Sequence, residues 1–495
     1  MTEIVGLGEV ASLRDELARR LAGGQRFAGL YGADHDGGVR LTALVAADGD
    51  VAELDADLPA DAAAYPALTP SVPAAFWYER EIHDLFGVAP DGHPRLDPLV
   101  LPLLQADPVR PRPGAEKNPQ RLDPDEHALP RHVMGPGVFT IPHGPVRSGV
   151  FESVEYLVET PGEDIPHLNI RVFYKHRGIE KRFEHMAPAD GVLLAERVEG
   201  IASVAHALAY CHALERLAGC VPPWPAQLVR VLYAELERIA NHLDAALKLA
   251  DAAGLAVAVA RFGWHKERVL RLVGRLAGNR FGRGVVVPGG VSRLPALGPA
   301  AALAELNGLQ RNIDVDAALL MGTSSFLDRL RTTGPLPADR ARAHGALGPV
   351  GKASGHACDA RDDRPYDAYP TLGAAPRRRY DDGDALARLR VRWDEVRESF
   401  HLLRQVVDQL DDIHDPTVRA PVEVAGGRAV GWAEAPQGEV LYAVQVTDGR
   451  VARCKPRSAS FHNLVLFHEV FVGDILTDFP FSEASFGLSI AGVAL

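Results

Sequence analysis

Leu386, Leu389, Trp393, Val396, Phe400, Leu403, Val407 and Leu410 recur at alternating steps of three and four residues. That spacing lays one apolar stripe along a helix, so it predicts a long helix over 386–410, packed lengthwise on another helix. Pro416 bounds it. Helical patterns also run through 190–218, 225–250 and 256–277, the first with Asp190 as its N-cap and Gly219 as its stop. Near the start, Val10, Leu13, Leu17 and Leu21 keep helical spacing. Strand alternation is found at Val39, Leu41, Ala43 and Val45, after the turn Asp36-Gly37-Gly38. It returns at Leu168, Ile170, Val172 and Tyr174, with 151–159 as the partner strand. Val440, Tyr442, Val444 and Val446 alternate up to Asp448-Gly449, a hairpin signal. A short helix is expected at about 460–472.

These elements divide the chain into three parts. Residues 1–104 read as a small α/β domain. Residues 105–135 carry Pro108, Pro111, Pro113, Pro119, Pro124 and Pro130 among charges and read as an extended connector. Residues 136–495 read as a mostly helical large domain with a long-helix bundle and peripheral β-sheets. The fold class is therefore α+β. A hydrophobic fraction of 47% with 24% charged residues is that of a globular chain and excludes bulk disorder. A net charge of −12 argues against a free nucleic-acid binder. The cysteines, Cys211, Cys220, Cys358 and Cys454, form no C-x-x-C pair, which argues against a disulfide framework and a cysteine-rich metal site. No basic and apolar leader opens the sequence, and no run of about 18 apolar residues is free of charge. A cytoplasmic chain is expected, held at a membrane only through partner subunits.

Motifs for nucleotide and zinc chemistry are missing. There is no G-x-x-x-x-G-K-[ST] loop, no G-x-G-x-x-G after a strand and no H-E-x-x-H. His462 and His468 have no obvious third ligand, and Arg377-Arg378-Arg379 reads as a solvated loop.

Several long runs carry more information. WYEREIHDLFGVAPDGHPRLDPLVL (77–101) resembles the signature of the small C-type subunit of respiratory complex I. IPHGPVRSGVFESVEYLVETPGEDI (141–165) and FYKHRGIEKRFE (173–184) resemble the large subunit of energy-converting [NiFe]-hydrogenases, which is homologous to the quinone-site subunit of complex I. ERIANHLDAAL (237–247), NRFGRGVVVPGGV (279–291) and GKASGHACDARDDRPYDAYPTLG (351–373) extend that likeness in the family's order. The fused arrangement is similar to that of formate hydrogenlyase-like complexes.

The departure from the family is as informative as the match. Where it has R-V-C-G-I-C-x-x-x-H, this chain has Arg197-Val198-Glu199-Gly200-Ile201-Ala202, with His206 retained. The second cysteine pair falls at Ser489 and Gly492. The four metal-binding positions are thus Glu199, Ala202, Ser489 and Gly492, and none offers a soft thiolate. The resemblance therefore implies neither a [NiFe] centre nor hydrogen activation. It places Gly200 where complex I has its quinone-binding tyrosine. The quinone-site loop matches 143–148, with His143 and Arg147 as candidates. His176, Arg177 and Glu180 fall beside the partner's nearest cluster, His206 near that cluster or the quinone cavity, and Asp251 on a proton path.

Each candidate has a plainer reading. Glu199 is a proton relay, or a helix carboxylate paired with Arg197 or Arg177. Arg177 raises a cluster potential, or clamps a turn. Asn241 and His242 read as a satisfied core pair, and 365–369 as a structural loop. The function implied is that of a peripheral-arm subunit. It takes electrons from a small iron–sulfur partner's [4Fe-4S] cluster to a quinone or other acceptor, while membrane subunits translocate ions. NAD enters only at the level of the complex, and nucleic acid not at all. The alternative is a redox-silent scaffold. An open hollow beside Glu199, joined to the 143–148 loop, favours the first and a packed one the second.

Overall fold

The computed structural model describes residues 2–47, 49–102, 133–147, 152–373, 378–471 and 473–495. Asp384 accepts a hydrogen bond from the Ala387 N–H and so starts the helix Ala385–Asp411. Along it Leu386, Leu389, Trp393, Val396, Phe400, Leu403 and Val407 are all buried, and Leu410 is half-buried. The stripe packs on Trp224–Ala252, the longest described helix, as the seam spacing requires. Ala256–Ala277 and Pro299–Met321 complete the bundle. Ser203–Ala218 lies between this core and an antiparallel sheet of Gly427–Ala435, Gly438–Thr447 and Arg450–Arg457. Strand and helix come so close that a Cβ on Gly431 would sit 2.2 Å from the Ala209 carbonyl oxygen.

The N-terminal part is a four-stranded sheet. Its order is Ile4–Gly6, Asp50–Leu58, Gly38–Ala47, Arg26–His35, and the helix Val10–Ala22 packs on it. Asp36 and Gly37 both take positive φ, as the tight hairpin between the last two strands demands. The signature helix Phe76–Phe86 carries buried Glu79, Arg80, Glu81 and Asp84. Asp84 accepts from the Leu99 and Val100 N–H groups, and Glu79 from Leu68 and Thr69. Each charge thereby fixes a loop, which offsets the cost of burying it.

The N-terminal and C-terminal parts share one core. Leu13, Leu30 and Tyr78 cluster with Tyr156, Ile170, Phe461 and Phe467. Arg457 donates to the Ala28 carbonyl and Arg453 to that of Gly32. The Tyr78 hydroxyl meets His462 Nδ1 at 2.8 Å, so His462 is a core hydrogen-bonding residue.

Three element expectations need correction. The 190–218 helix is broken into Gly191–Ala195 and Ser203–Ala218, because the chain turns at 196–202 and a carboxylate from another helix caps the second piece. The 168–174 strand stops at Arg171, and Phe173–Lys175 forms a 3-10 turn. The 460–472 helix is α-helical only over Ala459–Leu464 and continues as a 3-10 turn over Val465–Val470. The 151–159 strand is found over Glu155–Thr160, with 152–154 irregular, and most of the 105–135 connector and Arg377 lie outside the described residues.

Because Phe400 sits in the middle of the seam at 1% exposure, Phe400→Ala is expected to destabilise the chain by about 3–5 kcal/mol in chemical denaturation. A loss below ~1 kcal/mol would mean that the bundle does not depend on this seam.

Candidate vacated metal cradle and adjoining cavity

The two segments that the resemblance aligns with the family's cysteine pairs come together. One is the turn Glu199–Ala202 leading into the helix Ser203–Ala218, and the other is Ser489 with the short helix Ile490–Val493. Arg177 fastens them: Nη2 donates to the Val198 carbonyl at 2.7 Å and to that of Ala491 at 2.5 Å, and Nη1 to that of Arg197 at 3.3 Å. Glu152 holds the second segment from the other side. It accepts from Ser489 Oγ (2.9 Å), Ile490 N (2.7 Å) and Ala491 N (3.1 Å). Ser458 Oγ donates to the Gly492 carbonyl at 2.6 Å.

Glu199 is 1% exposed. A Cβ built on Gly492 would lie 1.4 Å from Glu199 Oε1 and 2.3 Å from its Cδ. The carboxylate thus occupies the space that a side chain at 492 would need. Oε1 has no hydrogen-bond partner, and Oε2 stands 3.7 Å from His206 Nε2. His206 is fully buried and shares a 2.8 Å hydrogen bond through Nδ1 with the Tyr442 hydroxyl. Burial pushes the Tyr442 phenol well above its ordinary value, so it stays protonated. Glu199, His206 and Tyr442 form a buried polar row. Neither Arg197 nor Arg177 hydrogen-bonds Glu199: Arg197 is taken up by Glu196, and Arg177 by the three carbonyls.

A nickel–iron group does not fit this residue set. The four positions supply a hard carboxylate, a methyl group, a hydroxyl committed to Glu152 and no side chain at all, and the carboxylate fills the space at 492.

Beside the cradle, Gly200, Ile201 and Val204 form one wall of a cavity of about 300 Å3. Tyr233, Leu236, Ala240, Leu270, Val273 and Phe281 supply most of the rest. Glu237 reaches the cavity from the Trp224–Ala252 helix and accepts from Val204 N (2.8 Å) and Ala205 N (3.1 Å). It therefore caps the open N-terminus of the Ser203–Ala218 helix. Burial raises its carboxyl to about 8, although the two N–H donors act against this.

The Trp224–Ala252 helix thus has two polar stripes. Glu237, Asn241 and Asp244 face the cavity, whereas Glu235, Arg238 and His242 face the bundle. On the bundle side, His242 Nε2 meets Glu395 at 2.7 Å, and Lys352 bridges Glu395 and Asp359 at 2.7 Å each. Arg361 joins Asp359, Glu235 and Glu398. Burial lowers His242 to about 4, so it is neutral at pH 7. His242 is the satisfied core residue expected of it. Asn241 is not, because its buried Oδ1 has no partner.

The other sequence candidates are scattered. His143 is exposed and packs edge-on against Phe479. Arg147 grips Glu483 with two hydrogen bonds of 2.7 and 2.9 Å and lies over the Tyr156 ring. Asp251 is exposed near the end of its helix and lines no part of the cavity. His176 and Glu180 line a separate pocket with Glu81 and Arg453. Lys455 and Arg453 hold Glu180 down at about 2 against the opposing effect of burial. Within 365–369, Asp367 pairs with His212 and Arg230, which makes the run structural. Tyr442, Glu237 and Glu152 were missed as site residues. Tyr442 registers in the sequence only as a strand position. Glu237 and Glu152 fall inside resembling runs, with nothing local to mark them.

Two outcomes follow from this geometry. Gly492→Ala is expected to cost ~1–3 kcal/mol by overpacking, and Glu199→Ala in the same chain to restore most of that loss; additive costs in the double variant would show that the two side-chain sites do not share one space. The second concerns pH. Between its ordinary 4.5 and about 8, Glu237 keeps in the folded chain a proton that the unfolded chain has lost, so its contribution to stability falls as pH rises. Glu237→Gln should therefore gain roughly 1–3 kcal/mol on the parent between about pH 5 and pH 8. A flat difference across denaturation curves in that window would mean that Glu237 ionises normally.

Comparison with known proteins agrees with this architecture. Residues 254–422 and 413–494 match the family model of the respiratory-chain NADH dehydrogenase 49 Kd subunit, and 16–124 that of the 30 Kd subunit. The carbon monoxide-induced hydrogenase of Rhodospirillum rubrum is 31% identical over 69% of this chain and 95% of that protein. Formate hydrogenlyase subunit 5 of Escherichia coli is 29% identical over 86% and 76%. The fused C/D polypeptide of the NADH-quinone oxidoreductase of Rhodopseudomonas palustris is 28% identical over 94% and 86%. A chain of an archaeal membrane-bound sulfane sulfur reductase has the same fold at a TM-score of 0.68, with 23% identity, over 72% of this chain and 99% of that one. The chain belongs to the family that unites the 49 Kd subunit of respiratory NADH dehydrogenase with the membrane-bound hydrogenase subunits, joined here in one polypeptide to a 30 Kd-subunit domain.

Proposed function

We propose that the chain is the peripheral-arm large subunit of a membrane-bound oxidoreductase complex, and that Glu199 carries protons within it. In this reading the chain docks a small iron–sulfur subunit, takes electrons from its [4Fe-4S] cluster and presents them to a quinone or other acceptor. Membrane subunits couple the reaction to ion translocation, and NAD acts only elsewhere in the complex. Among the described residues no helix is long and apolar enough to cross a membrane, so attachment to its cytoplasmic face falls to the partners.

The observation that carries this reading is the buried row Glu199–His206–Tyr442, in which Glu199 Oε1 and His206 Nε2 both lack a partner. A carboxylate and an imidazole 3.7 Å apart can exchange a proton through a small rotation or one bridging water. Arg177 acts as a clamp that keeps the two vacated segments together, and its guanidinium leaves positive charge beside the cradle. His176 lines a second pocket, in which buried Glu180 is held by Arg453 and Lys455, and in this reading that pocket lies toward the partner.

A second reading, a redox-silent scaffold, is favoured by two facts: Glu199 fills the space at Gly492, so the cradle itself is packed, and the neighbouring cavity is lined neither by Glu199 nor by His143 or Arg147. The two readings differ in what Glu199→Gln does. As a relay, Glu199 is needed, and coupled turnover of the intact complex should fall roughly 100-fold or more, the typical size for lost acid–base catalysis. Unchanged turnover with the subunits still assembled would remove the relay and leave the scaffold.

A further inference from the structure

The cavity beside the cradle has a composition of its own. About 300 Å3 lies at the lower end of small-molecule sites, roughly 300–1,000 Å3. Its walls are aliphatic and aromatic, with Tyr233 and Phe281 among them, and it opens beside the exposed Gly200 and Phe281. Inside, Asn241 is 8% exposed, and its Oδ1 is buried without a hydrogen-bond partner. An unpaired buried acceptor costs free energy that a bound donor would recover.

The charged groups at the cavity narrow the choice of ligand. Glu237 keeps its proton near neutral pH and so brings no charge, and its two oxygens already face backbone N–H groups. Asp244 is paired with Lys266 and Lys248, and Arg280 with Glu267. No charge is left over to hold an ion, and the apolar walls disfavour one. A compact ring with one hydroxyl meets every condition: it fills the apolar volume, stacks near Tyr233 and Phe281, and donates to Asn241.

We propose that this cavity is a binding site for a small uncharged molecule of the phenol class, with the Asn241 carbonyl as acceptor for its hydroxyl. Binding at this site is independent of the electron-transfer reading, and its test needs no turnover. The full-length chain is titrated with 4-ethylphenol and, separately, with its methyl ether, 4-ethylanisole, by calorimetry or ligand-observed NMR. Saturable binding of the phenol is expected, with the ether roughly tenfold weaker for want of one hydrogen bond. Asn241→Leu should bring phenol and ether to equal affinity, and Leu270→Trp, which fills the cavity, should abolish binding of both. The proposal is overturned if the phenol does not saturate, if the unaltered chain binds phenol and ether equally, or if Leu270→Trp leaves binding unchanged. The comparison of phenol with ether on the unaltered chain decides the matter even where a variant fails to fold.

Discussion

Charge buried on the Trp224–Ala252 helix constrains everything around it. Glu235, Arg238 and His242 lie at 0–1% exposure on one side of that helix. Such groups persist in a core only where neighbours supply opposite charge and hydrogen bonds. The Ala385–Asp411 helix answers with Glu395, Glu398 and Ser399, and the segment around 352–361 with Lys352, Asp359 and Arg361. The heptad seam brings the two helices together, but the ion pairs fix their register, since sliding by one turn would strand several charges. The opposite stripe of the same helix, through Glu237, caps the helix that carries the cradle. Cradle and bundle are thus positioned from one backbone.

The four positions aligned with the family's thiolates are not left as gaps. Removing a metal and its ligands would leave a hollow, which is costly in a close-packed interior. Here the long carboxylate arm of Glu199 occupies the place that Gly492 leaves empty, while Ser489 turns its hydroxyl to Glu152. The positions aligned with the family's metal ligands form a packed polar contact, joined through His206 to Tyr442 on the C-terminal sheet. What remains open lies one residue further on, beyond Gly200, with walls that have nothing to do with metal ligation.

Local chemistry made much of this legible in advance. The 386–410 seam, the 256–277 helix and the Asp448-Gly449 hairpin follow from periodicity and turn residues, and all are found where they were expected. The resembling runs located the two vacated motifs. Glu199 could be named, but its partners could not. Arg197, two residues away, and Arg177 are the cations that the sequence offers as partners, yet both are committed elsewhere, and the group facing the carboxylate is His206. Periodicity alone predicts too long a helix over 190–218, because the apolar pattern runs unbroken through 196–202, whereas the break is set by Glu237, which lies far along the chain.

The sequence alone determined which residue types stand at the four positions aligned with the family's metal ligands, the extents of the 256–277 and 386–410 helices and the absence there of the soft donors on which nickel depends, because these rest on side-chain chemistry and on periods of a few residues. Tertiary structure alone decided that Glu199 enters the space at Gly492, that Arg177 ties both segments by their carbonyls, that Asn241 Oδ1 goes unpaired, and that the N-terminal and C-terminal parts share one core. Those are contacts between segments up to several hundred residues apart. Their geometry comes from the packing of whole elements against one another, and no local pattern encodes it.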